Sequence, residues 1–93
     1  MKLEIVSPEA TLFSGEVTTV SVPGIKGEFQ MLNNHAPIVS ILTKGDVKFT
    51  GTNITIEEAF NSKFQQIGKD TFHLPINAGV IELNDNKIII LAN

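Results

Sequence analysis

Along most of the chain, apolar and polar residues alternate one for one. In "KLEIV", Leu3 and Ile5 fall on one side and Lys2 and Glu4 on the other. In "DVKFT", Val47 and Phe49 fall inward and Asp46 and Lys48 outward, and in "GEFQM" Phe29 and Met31 share a side. A period of two is the mark of a half-buried strand. "EVTTVSV" is rich in β-branched residues up to Val22 and stops at Pro23-Gly24, a turn pair. "SPE" at 7–9 separates "KLEIV" from the next run, "ATLFSG". "IVSIL", 38–42, is almost continuously apolar, which predicts a strand buried on both faces or lying where two sheets cross. "TFHLPI", "GVIEL" and "KIIILA" complete the set, the last two joined by "NDN", a hairpin turn. Asn33-Asn34-His35 and Lys44-Gly45 read as further turns.

One segment changes period. In "TIEEAFNSKFQQIG", Ile56, Phe60, Phe64 and Ile67 recur at four, four and three residues, which predicts a short amphipathic helix over 56–67. Thr55 and Glu58 have the spacing of a capping box, and Gly68 stands where a helix C-cap belongs. The competing reading is a strand over "NITIE", where Ile54 and Ile56 alternate. About ten short strands punctuated by Gly and Pro predict a mainly β fold, an antiparallel β-sandwich or barrel.

Size and charge narrow what such a fold does. Ninety-three residues make one domain, 1–93, with a single core. The chain has no cysteine, which excludes disulfides, thiolate metal ligands and a cysteine nucleophile. Net charge is −3, the lysines are scattered and there is no arginine, so nucleic acid is not an expected partner. The N-terminus enters a strand pattern at once, without the apolar run of a signal segment, and no apolar run reaches the roughly 20 residues of a membrane span. The expectation is a cytoplasmic protein that meets a membrane only through a partner.

The densest candidate for a site is "VPGIKGEFQMLNNHAPIV", 22–39. His35 has no nucleophile or acid at a recognisable spacing, so it reads as a turn residue before Ala36-Pro37. His35 and His73 lack the further ligands that a metal would need. Glu57 and Glu58 are adjacent, so on a helix they diverge and cannot act as a catalytic pair. "PGIKGE" has a G-x-x-G spacing, unlike a phosphate-binding loop, and its glycines read as turn residues. No catalytic residue, metal or cofactor is expected. The residues alone point to an interaction module.

The order of the motifs adds a resemblance. Ser7-Pro8, Phe13-Ser14-Gly15, Pro23-Gly24, Gly27-Glu28, His35-Ala36-Pro37, Leu42 and Gly45 follow one another, and Ala78-Gly79-Val80, Glu82, Asn86 and Leu91-Ala92 come near the end. This set closely resembles the N-terminal domain of the epsilon subunit of F-type ATP synthases. The resemblance implies a ten-stranded β-sandwich without catalytic activity. It implies a place on the proton- or sodium-driven rotor, with the gamma axle and the membrane c-ring as partners. It also implies a peripheral location on the cytoplasmic side of a bacterial inner membrane. It places Lys26, Gly27 and Glu28 on the loop that faces the ring, and His35, Ala36 and Pro37 near the rotor contact surface, the whole stretch forming a docking edge. Two departures stand out: the family commonly continues into a C-terminal helical hairpin after the last strand, and residues 52–70 are longer than its usual link. The rival expectation is a small ligand-binding or accessory β-sandwich with His35 in a pocket.

Overall fold

The alternating runs become ten strands in the computed structural model, which describes residues 1–93. They are β1 (Lys2–Val6), β2 (Thr11–Glu16), β3 (Thr19–Gly24), β4 (Gly27–Leu32), β5 (Ile38–Leu42), β6 (Gly45–Thr50), β7 (Gln65–Ile67), β8 (Thr71–Ile76), β9 (Gly79–Asn84) and β10 (Lys87–Ala92). Hydrogen bonding runs in the order β2-β1-β10-β9-β5-β3-β6-β8-β7, with β4 on the other edge of β3. Between β5 and β3 only Gly24 and Leu42 pair. The path turns a corner there, and β2-β1-β10-β9-β5 faces β4-β3-β6-β8-β7 across the core. This is the expected sandwich of ten short strands.

Every pairing is antiparallel except β1 with β10, which run parallel. A parallel pair needs a long crossover. Here almost the whole remaining chain supplies it, so no local signal in either strand announces the pairing.

The inward residues are those that the period of two selects. Leu3, Ile5, Val20, Val22, Met31, Val47, Phe49, Ile81, Leu83, Ile88 and Ile90 are buried. Phe49 sits at the centre, its ring 4.8 Å from Phe13 and 5.8 Å from Phe72. The "NDN" turn forms between β9 and β10, with Asp85 and Asn86 at φ 48° and 61°. Two consecutive positive φ values make a type I′ turn, whose twist matches that of the flanking strands.

Two expectations need correction. The helix over 56–67 contracts to a 3-10 helix at Glu58–Lys63, and Gln65–Ile67 is strand. Glu57 precedes the helix with no side-chain cap bond, so Thr55 and Glu58 form no capping box. Gly68, at φ 75°, turns the β7–β8 hairpin instead of capping a helix. Ile56, Phe60 and Phe64 still pack against the core, and Phe64 meets Phe49 edge-on at 6.0 Å, but Ile67, the fourth residue of the expected apolar side, is exposed because β7 turns it outward. The competing strand over "NITIE" does not form. The second concerns β5: burial on both faces fails, because Val39 and Ile41 point to solvent, while the other reading, a strand where the two sheets meet, holds, since Leu42 pairs with Gly24 at the corner.

Candidate functional site

Lys26 and Ile25 form the tip of the β3–β4 hairpin, closed by the pair Gly24 and Gly27. Gly27 has φ 121°, a conformation that side-chain-bearing residues avoid. At Gly24 the reason for glycine is space: a Cβ would lie 2.8 Å from the Phe29 ring and 2.9 Å from the Gly27 carbonyl oxygen. Ile25, Lys26 and Gly27 are exposed. Glu28 also faces solvent, and its Oε1 accepts from Lys48 Nζ at 3.1 Å. The hairpin thus presents an apolar tip and one free cation, with its carboxylate already paired.

His35, Ala36 and Pro37 follow the opposite end of β4. Five steps along an antiparallel strand cover about 17 Å, so the supposed docking edge divides into two separate turns. The His35 backbone N–H donates to the Leu32 carbonyl at 3.2 Å. Its ring Nδ1 lies 2.7 Å from the Ala36 carbonyl oxygen. A carbonyl can only accept, so Nδ1 carries the hydrogen and Nε2 is left facing solvent. Asn34, at φ 65°, donates its N–H to Asn86 Oδ1 at 2.9 Å. The Met1 ammonium donates to Asn33 Oδ1 at 2.9 Å and to the Val17 carbonyl at 3.3 Å. The turn is therefore tied to the β9–β10 turn and to the start of the chain.

No carboxylate or hydroxyl approaches the His35 ring, and no three His, Asp or Glu side chains gather to hold a metal. His73 Nδ1 lies 4.0 Å from Asp46 Oδ2. They are diagonal neighbours on β8 and β6 (the register pairs Lys48 with His73 and Asp46 with Pro75), and sequence spacing gave no hint of the contact.

The feature that sequence reasoning missed is a face. Register places Ile41 opposite Val80, Val80 opposite Leu91, and Leu91 opposite Val6. Directly opposed residues share a side of the sheet. These four form an outward row across β5, β9, β10 and β1. Ile41 is 59% exposed, Leu91 54% and Val80 41%, and Val39, in the next row, is 72% exposed. That next row reads Val39, Glu82, Ile89 and Glu4. The outer side of the other sheet is mostly polar, with Glu28, Lys48, Asp46, His73, Thr19 and Thr50 across it and the exposed Leu32 and Ile67 on its two edge strands, β4 and β7. The signal was available. Once β5 and β9 are paired in register, Val39 falls beside the charged Glu82, which a strand buried on both faces would not tolerate.

Residues 1–61 match the family described as the β-sandwich domain of the ATP synthase delta/epsilon chain. The chain is 36% identical over 92 residues to an ATP synthase epsilon chain of Pelotomaculum thermopropionicum, covering 99% of this chain and 57% of that protein. It is 36% identical over 90 residues to an ATP synthase epsilon chain of Chlorobium limicola, covering 97% of this chain and 85% of that one. It thus spans little more than half the length of the first relative and most of the second. In fold it is similar, with a TM-score of 0.73 at 12% identity, to a chain in the central stalk and c-ring structure of the Tetrahymena thermophila mitochondrial ATP synthase. That match covers 99% of this chain and 62% of the other.

Proposed function

The chain belongs to the delta/epsilon-chain family of ATP synthases, and from that premise we propose that it is a non-catalytic subunit of the rotary central stalk, joining the gamma axle to the c-ring. The observation that carries this reading is the contrast between the two outer faces. One sheet turns mainly polar and charged side chains to solvent, its exposed apolar residues, Leu32 and Ile67, standing apart on opposite edge strands. The other exposes Val39, Ile41, Val80 and Leu91 side by side. A contiguous apolar surface rimmed by charge marks a protein interface. Covering these side chains would contribute on the order of 4 kcal/mol, taking about half of the roughly 1.5–3 kcal/mol for fully burying each. The axle subunit is the partner assigned to this face.

The β3–β4 tip is the second contact. Ile25 and Lys26 project from a hairpin whose geometry Gly24 and Gly27 fix. The exposed Lys26 cation is the group offered to the ring, with Ile25 beside it and the Glu28–Lys48 pair behind. Torque passes without slip only if both contacts hold at once, which asks for a stiff body between them. A sandwich with one continuous core supplies that stiffness. His35, bonded within its turn, is assigned a structural part at the margin of the axle contact.

No helix of the chain is long and apolar enough to cross a membrane. The proposed place is peripheral, on the cytoplasmic side of a bacterial inner membrane, held there by the ring. The rival ligand-binding reading needs a concave pocket around His35, and none of the five best-formed surface hollows has His35 in its wall.

Gel filtration with purified gamma subunit tests the proposal. A co-eluting complex at micromolar concentration is the expected result, with no ATP hydrolysis by the chain alone. A chain that stays separate while binding a small metabolite would decide for the rival.

A further inference from the structure

We propose that the row Ile41, Val80, Leu91 and Val6 receives an amphipathic α-helix of the axle partner, laid across the strands with a lysine or arginine against Glu82. This rests on the stalk reading above and says what kind of surface the partner brings. The first argument is spacing. The four side chains stand on adjacent strands, so they repeat every 4.7–4.9 Å or so across the sheet. Same-face residues of a helix, three or four apart, are neighbours at about 5–6 Å. Same-face residues of a strand are about 6.8 Å apart, two steps of about 3.4 Å, and fall out of step with the row by the third contact.

The second argument is what flanks the row. On one side lie Glu82 and Glu4. Glu4 is engaged, its Oε1 forming an ion pair with Lys87 Nζ at 3.3 Å. Glu82 is exposed and has neither an ion-pair nor a side-chain hydrogen-bond partner. An unpaired carboxylate beside a surface to be covered calls for a cation from the partner, since complementary charge selects partner and orientation. On the other side the sheet ends in an open hollow of about 540 Å³, with Val6, Pro8, Ala78, Val80 and Leu91 among its walls. A helix centred on the row would set its basic flank over Glu82 and one bulky apolar side chain into that hollow. A flat polar partner surface would leave both features unused.

The absence of cysteine makes the test direct. Single cysteines carrying a photo-crosslinker are placed at Ile41, Val80 and Leu91, in complex with purified gamma subunit, and the crosslinked partner residues are mapped. The expected result is targets three or four residues apart on one partner segment, in the order 41, 80, 91. Targets two residues apart, or scattered over several segments, overturn the helix. A complex that forms but crosslinks from none of the three positions also overturns it, while leaving the stalk reading in place. Failure of the unmodified chain to bind gamma counts instead against the stalk reading itself. Glu82→Lys is expected to weaken the complex about tenfold, with the loss shrinking at high salt, whereas Glu58→Lys, away from the row, is expected to leave it unchanged. Equal effects from the two would refute the charge pairing.

Discussion

Gly24 and Glu28 are four residues apart in one hairpin and answer to different physics. Gly24 is where two backbone segments and a ring converge, with contacts under 3 Å waiting for any Cβ. Gly24→Ala is therefore expected to cost about 2 kcal/mol, in the range for overpacking, and to lower Tm by the order of 10 °C for a domain of this size. Glu28 forms an ion pair in which both side chains are more than a third exposed, and such pairs contribute less than about 1 kcal/mol. Glu28→Lys should shift Tm by a few degrees at most. Its effect is expected in reconstituted enzyme, as weaker coupling of proton pumping to ATP turnover. A large drop in Tm with coupling intact would make Glu28 structural. The sequence made the glycines legible as turn residues, because so few residues tolerate such turns. The Glu28–Lys48 pair was not legible, since it depends on β4 and β6 lying on the two sides of β3.

Among the elements, the strands with strict alternation were readable and the segment from 54 to 67 only partly so. Its spacing of apolar residues correctly picked out Ile56, Phe60 and Phe64 as the side that meets the core. It could not say by what backbone they would get there. Periodicity reports which residues share a side, and a short 3-10 helix followed by an extended strand brings Ile56, Phe60 and Phe64 to the core as an α-helix would, but leaves Ile67 in solvent. What decides is tertiary: β7 pairs with β8, Gln65 opposite His73 and Ile67 opposite Thr71, and this draws the second half into the sheet. In β5 the opposite difficulty arises. An apolar run left open to solvent is indistinguishable, residue by residue, from one covered by its own core. The segment's importance to the fold can be measured. Phe64→Ala removes the ring that meets Phe49 and opens that side of the core. The expected cost is about 2–3 kcal/mol, below the range for a fully buried Phe because Phe64 is only half-buried. Phe60→Ala should cost less than Phe64→Ala, since no core ring stacks on Phe60. Denaturant melts in which Phe64→Ala is silent would mean that the segment merely rests on the sandwich.

At the scale of the whole molecule, the same packing bears on regulation. An arm that inhibits a rotary enzyme needs two states, each held by its own contacts. The 54–67 segment is the one stretch of this chain outside the main sandwich strands that could serve. Its inner side chains lie against the core and its last three residues are paired into a sheet edge. Release would strip apolar cover from Phe49 and break strand hydrogen bonds. Six residues of 3-10 helix extend only about 12 Å even if freed, too short a reach to bridge from the stalk into a catalytic subunit. The 93-residue chain is therefore expected to bind the ATPase core without inhibiting it. In a titration of the core enzyme the rate should stay within about twofold of its starting value as the chain saturates the axle, a change worth less than about 0.5 kcal/mol in barrier. Strong inhibition that disappears when 55–64 is replaced by a short Gly-Ser loop would show that the segment leaves the sandwich after all. The replacement chain must first be shown to remain folded, by its far-UV spectrum and its binding to gamma, because removing Phe64 alone is already expected to weaken the core.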